Sequence, residues 1–162
     1  MTLVMDAAVR KRTLRLMSNG LYVMTSSNGE QHGAATLTWI SQASFKPPLV
    51  MAAIRPTSNV FKCLSESRVA AIHILDAGQQ EMAQRFFSPT RVVDGTINGE
   101  PFSPGVTRAP ILHNARAHVE CEVRHIVSRG DHAVVVLEVI AAECDGEIRP
   151  LTVAESPWEY GG

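Results

Sequence analysis

The sequence predicts a mainly β protein: an antiparallel barrel, closed or split, with a few short helices at its periphery. Three observations carry this. Six or seven segments of strand length either alternate apolar with polar residues or run apolar throughout. Most of them are joined by turns, whereas parallel strands need a crossover long enough for a helix. Only three short stretches have helical spacing, too few for alternating layers of helix and sheet.

Taken in order, Met5 to Met17 reads as an amphipathic helix, with Val9, Leu16 and Met17 on one face and Arg10, Lys11 and Arg15 mostly outside it. Asn19-Gly20 stops it. Leu21–Thr25 is a short strand, and Asn28-Gly29 in the turn Ser26 to Glu30 is a hairpin signal. Gly33–Phe45 returns as strand and loop, Pro47-Pro48 interrupts it, and Leu49–Ile54 is a buried strand. Ser58–Leu64 is a helix with Thr57 or Ser58 as N-cap, followed by a strand over Arg68–Leu75. Gly78–Phe87 is a helix with Met82 and Phe86 on one face. Ser88–Pro110, rich in Gly, Pro and Thr, has little periodicity and reads as a long functional loop. Ala117–Val127 and Ala133–Ala142 are long strands around the turn Ser128–Asp131, and Arg149–Val153 is a last short strand.

The length of 162 residues suits one domain, 1–162, since domains usually run to ~100–200 residues. Fifteen Lys and Arg against 16 Asp and Glu give a net charge of -1, without the basic surplus a nucleic-acid binder needs. The longest apolar runs, Leu49–Ile54 and Ala133–Leu137, fall far short of the ~20 residues of a membrane span. The charged stretch Met1 to Arg12 lacks the apolar core of a signal peptide. Three scattered cysteines, Cys63, Cys121 and Cys144, fit reduced thiols in the cytoplasm.

Metal-ligand spacing is missing from the chain: it has no CxxC, HxxxH or HExxH. Cys121 and His125 stand four apart on a strand, hence ~13 Å from each other, and read as a core cysteine and a strand-end histidine. GxSxG, GxGxxG and GxxxxGK[ST] are missing too.

Three features point to a site. Thr36-Leu37-Thr38-Trp39-Ile40-Ser41-Gln42-Ala43-Ser44 gathers hydroxyls and an amide just ahead of a buried strand, and such uncharged donors and acceptors suit a ligand with a polar edge. The plainer alternative is a strand with a polar outer face. Arg55, Thr57 and Ser58 join a strand-end arginine to hydroxyls at a helix start, where free N–H groups and guanidinium together hold phosphate. The plainer alternative there is a simple N-cap beside a surface arginine. Asp131-His132, after Gly130, places a histidine at a turn before a buried strand.

Several stretches, in this order, resemble the flavin reductase-like family. Ser18-Asn19-Gly20-Leu21-Tyr22-Val23-Met24-Thr25 looks like its opening Gly-x-x-Val-x-Thr strand. Thr36 through Val50, with Ser44-Phe45-Lys46-Pro47-Pro48-Leu49, is similar to its Thr-Ala-Asn-x-x-x-x-Val-Ser-x-x-Pro-Pro-Leu segment. Arg55 to Phe61, Pro110-Ile111-Leu112, Cys121, Gly130-Asp131-His132 with Glu138-Val139, and Trp158-Glu159-Tyr160-Gly161-Gly162 continue the likeness. It departs at Leu37 and Thr38, where Ala and Asn are common, and at Leu137, which replaces a glycine.

The resemblance implies the FMN-binding split-barrel fold and an NAD(P)H:flavin oxidoreductase. FMN would be the flavin, with FAD as the alternative, and NADH or NADPH the electron donor. Thr36, Leu37, Thr38 and Trp39 would line the ring edge and ribityl chain, and Ser41 and Gln42 would reach the ribityl chain or phosphate. Arg55, Thr57 and Ser58 would hold the phosphate. His132 would lie near the flavin ring or the nicotinamide, and Trp158 and Tyr160 would cover the site. A homodimer and a monooxygenase that receives reduced flavin are the implied partners. Two other functions fit the same residues: a non-enzymatic FMN-binding electron-transfer protein, and a binding module for haem or another ligand on the same fold.

Overall fold

The computed structural model describes residues 3–162; residues 1 and 2 of the expected 1–162 domain lie outside them. Its elements in chain order are α1 (Ala7–Arg15), β1 (Tyr22–Ser27), β2 (His32–Leu37), β3 (Ile40–Ser44), β4 (Leu49–Ile54), α2 (Asn59–Ser67), β5 (Val69–Ile74), α3 (Gln80–Arg85), β6 (Val92–Val93), β7 (Thr96–Ile97), β8 (Glu100–Pro104), β9 (Pro110–Leu112), β10 (Ala117–Ser128) and β11 (Ala133–Cys144).

Seven strands form one antiparallel sheet in the order β2-β1-β5-β10-β11-β4-β3. Its two edge strands, β2 and β3, are consecutive in the chain and only Thr38-Trp39 joins them. So short a link forces the sheet to curl until its edges meet. The ladder does not cross that seam among the described residues, so the barrel is split. The predicted segment Gly33–Phe45 is thus two strands on opposite edges.

Alternation along each strand supplies two cores. Met24, Ile54, Leu64, Ile72, Val135 and Leu137 fill the barrel under α2. On the other face of β1, Val23 joins Leu75, Met82, Phe86, Ile97 and Leu112. Cys121 lies in the first core, where burial pushes its thiol up to about 12. His125 sits at a register shift on the exposed end of β10. Both placements match the sequence reading.

Three expectations are corrected. Ser88–Pro110 is not a structureless loop but holds a small sheet, β6-β7-β8-β9. Its tight turns are Asp94-Gly95 and Asn98-Gly99, all four residues at positive φ (48°, 76°, 48° and 83°), which is the backbone a two-residue hairpin turn requires. Arg149–Val153 makes only isolated bridges, Asp76 with Pro150 and Gly20 with Thr152. Helix α1 stops at Arg15, capped at its start by the Asp6 carboxylate, and buries none of its residues. Val9, Leu16 and Met17 stay exposed.

Candidate active site: a cleft at the barrel seam

A cleft of about 440 Å³ opens at the seam. Its position follows from the curl: β2 delivers Thr36 and Leu37 from one edge, the link supplies Thr38 and Trp39, and the end of β4 brings Arg55 from the other side.

Thr36 faces α3. Its hydroxyl donates to the Ala83 carbonyl at 2.7 Å and its amide to the Phe86 carbonyl at 3.3 Å. Thr38 is different: it is 8% exposed, and its hydroxyl oxygen has no hydrogen-bond partner among the described residues. Leaving a buried hydroxyl unpaired costs roughly 1–3 kcal/mol, a cost that a polar ligand atom in the cleft would remove.

Arg55 makes no side-chain hydrogen bond or ion pair among the described residues. Ser58 is the N-cap of α2. Its Oγ accepts from the Phe61 amide at 3.2 Å and donates to the Arg55 carbonyl at 2.8 Å. The hydroxyl is therefore engaged in shaping the turn, and what the turn offers outward is a free guanidinium beside the positive end of a nine-residue helix.

The upper wall is aromatic. The Trp39 ring lies 4.7 Å from His132 and 5.1 Å from Tyr160, centroid to centroid. His132 stands just before β11, with Nδ1 2.8 Å from Asp131 Oδ1 and Nε2 3.0 Å from the Tyr160 hydroxyl. A carboxylate can only accept, so Nδ1 carries a proton, and in the neutral ring Nε2 accepts from Tyr160. The hydrogen bond from His132, with the Arg55 charge adding to it, holds the Asp131 carboxyl below its usual range. Trp158 packs edge-on against Phe87 at 4.9 Å. The tail carrying Trp158 and Tyr160 is tied to α1 by Arg15, which donates to Gly161 O and Glu159 Oε2, both at 3.0 Å.

Of the residues singled out from sequence, Thr36, Leu37, Thr38, Trp39, Arg55, Ser58, His132, Trp158 and Tyr160 line this one cleft. Ser41 lines a neighbouring groove with Leu14, Met17, Met51 and Val134. Gln42 and Thr57 line neither: Gln42 turns along the outer edge of β3 to the Ser44 carbonyl, and the cap position falls to Ser58, which leaves Thr57 exposed. Sequence reasoning missed Phe87, Ser156 and Glu159, and took Phe86 for core alone. The Phe86-Phe87 pair at a helix end was the available signal.

Flat aromatic walls, an orphaned buried hydroxyl and a free cation at a helix start fit a ligand with a planar ring system and a phosphate. Fold and cleft together define a split barrel with a ligand-sized cleft at its seam. The chain belongs to the flavin reductase like domain family, whose model matches residues 14–157.

Relatives extend the likeness. The diflavin flavoprotein A 1 of Synechocystis is 29% identical over 147 residues, covering 83% of this chain; this chain spans only 24% of that protein. The NADH-dependent FAD reductase of Streptomyces globisporus is 27% identical, over 85% of this chain and 76% of the relative. Among solved structures, nitrilotriacetate monooxygenase component B from Mycobacterium thermoresistibile superposes with a TM-score of 0.76 at 25% identity, covering 90% of this chain and 80% of that one.

Proposed function

We propose that this protein is an NAD(P)H-dependent flavin oxidoreductase. One observation carries the reading: the seam cleft sets the free Arg55 guanidinium, the unpartnered Thr38 hydroxyl and an aromatic wall within one cavity. The names of the relatives, an NADH-dependent FAD reductase among them, support it.

A bound flavin would supply the redox chemistry, taking up a hydride from the nicotinamide donor. The chain's own residues bind and position. Arg55 and the start of α2 hold the phosphate, and Thr38 gives its hydroxyl to a polar edge of the ligand. Trp39, Trp158 and Tyr160 would flank a ring system and keep water out, which favours transfer between closely held groups. Asp131 keeps the proton on Nδ1 of His132, so that Nε2 stands as an acceptor at the cleft wall.

FMN is the preferred flavin and FAD the alternative; NADH or NADPH is the donor. A second copy of the chain is the proposed partner. The groove beside the cleft shares Trp39 and Tyr160 with it and exposes Leu14, Met17, Met51 and Val134. A monooxygenase would consume the reduced flavin, in keeping with the component B neighbour. The three free thiols suit the cytoplasm.

A second reading is a non-enzymatic FMN-binding electron-transfer protein. It is favoured by the diflavin flavoprotein match, where the likeness is to one part of a longer protein. An anaerobic visible spectrum with FMN, before and after NADH or NADPH, separates the two. Bleaching faster than in a protein-free control establishes the reductase and its donor. Bound FMN that never bleaches leaves the electron carrier.

A further inference from the structure

Behind Phe86 and Phe87 lies a second concavity, about 500 Å³, between the end of α3 and the β6–β8 hairpins. Its walls include Arg85, Ser88, Pro89, Arg91, Val93 and Thr96. We propose that this pocket takes the ADP moiety of a dinucleotide whose other half lies in the seam cleft. The assignment rests on the reductase reading for what that dinucleotide does there.

Its two arginines differ: the Arg85 guanidinium is fixed, whereas only the backbone of Arg91 is. The Arg85 guanidinium pairs with Glu100, a carboxylate only 3% exposed, whose second oxygen accepts from Asn114 Nδ2 at 3.0 Å. That pair fixes Arg85 and leaves nearly half of its side chain open. Arg91 is exposed, and its guanidinium has no ion pair or hydrogen bond among the described residues. Asn98 locks the two together. Its Nδ2 donates to the Arg85 carbonyl at 2.9 Å, and its Oδ1 accepts from the Arg91 amide at 2.7 Å. The Asn98 amide also donates to the Arg91 carbonyl at 2.8 Å. A guanidinium already fixed by a buried carboxylate, as at Arg85, loses little freedom on meeting a ligand, which favours binding.

The ligand class follows from what stands there. A fixed and a free guanidinium suit phosphate oxygens, and the Ser88 hydroxyl adds a donor. Pro89 and Val93 give an apolar flank for a base. The position supplies the link: one short segment turns Phe86 and Phe87 into the seam cleft and Arg85 and Ser88 into this pocket. Arg55 is the cleft's own free cation, and a dinucleotide carries more phosphate than one guanidinium neutralises.

An ADP moiety could come from the nicotinamide donor or from FAD. Calorimetry with ADP-ribose, using the full chain, Arg91→Ala, Arg91→Lys and the surface control Arg10→Ala, tests the pocket directly. The expected result is binding by the parent and by Arg10→Ala, about tenfold weaker in Arg91→Ala and partly restored in Arg91→Lys. A parent that does not bind ADP-ribose, or equal weakening in Arg10→Ala, overturns the proposal. Two further arms identify the source. A KM for NADH or NADPH that rises about tenfold in Arg91→Ala, with FMN as the flavin, assigns the pocket to the donor. A loss of FAD affinity without loss of FMN affinity assigns it to FAD. If neither nucleotide reduces flavin, the reductase reading falls, while ADP-ribose binding still decides the pocket.

Discussion

Leu37 and Ile40 belong to opposite edges of a seven-stranded sheet, yet only Thr38 and Trp39 separate them in the chain. The cleft's two most informative residues are therefore the ones that bridge the seam. The Trp39 carbonyl accepts from the Ala53 amide at 2.9 Å, which pins the link to β4 and places Arg55, two residues on, at the same opening.

Arg55→Ala should weaken FMN binding about tenfold or more while changing riboflavin binding little, because a charge-assisted bond to phosphate contributes ~1.5–3 kcal/mol. Fluorescence titration with both flavins measures this. Equal weakening of the two would remove Arg55 from the phosphate.

Thr38→Val should separate stability from binding. The unpartnered hydroxyl gives the free protein nothing, so the variant should melt at or above the parent's temperature. FMN affinity should fall by several-fold. A variant that melts lower and binds FMN normally would mean that Thr38 is structural.

His132→Ala should slow flavin reduction in stopped-flow while leaving FMN affinity nearly intact. Tyr160→Phe removes only the donor to Nε2 and should act in the same direction with a smaller effect. Reduction at the parental rate in His132→Ala would exclude the histidine from the chemistry.

Acid should weaken the fold through His73, far from the cleft. This residue is fully buried, with Nδ1 2.9 Å from the Val23 carbonyl and Nε2 accepting from the Leu112 amide at 3.0 Å. Burial, with some help from neighbouring His118, lowers its pKa from 6.5 to about 4. The unfolded chain therefore binds the proton more readily. The His73 contribution is complete above the unfolded value, fades as pH falls from 6.5 toward 4, and amounts to ~3 kcal/mol. Urea midpoints across that window should fall in the parent and stay flatter in His73→Asn. Parallel curves would place the titration elsewhere.

What was legible in the sequence was local. Arg55 and Ser58 lie where a strand end meets a helix start, so a few residues disclosed them. His132 was visible as a turn residue before an apolar strand. One polar stretch contains Thr36, Ser41 and Gln42 alike, and only the curl shows that it crosses from one sheet edge to the other. The hairpins at Asp94-Gly95 and Asn98-Gly99 carried a strong signal, masked by strands of two residues with no room to alternate. The seat of Trp158 and Tyr160 had no local trace, since it depends on Arg15, 146 residues from Gly161.

The unpaired seam also sets how the barrel can breathe. Elsewhere, prising two strands apart breaks backbone hydrogen bonds; between β2 and β3 there is no ladder to break. Widening there strains only side-chain contacts and the anchor from Ala53 to Trp39. The mouth of the cleft is thus the softest direction of an otherwise stiff cylinder. A ring could then enter or leave there without melting any strand, as the proposed reductase would require.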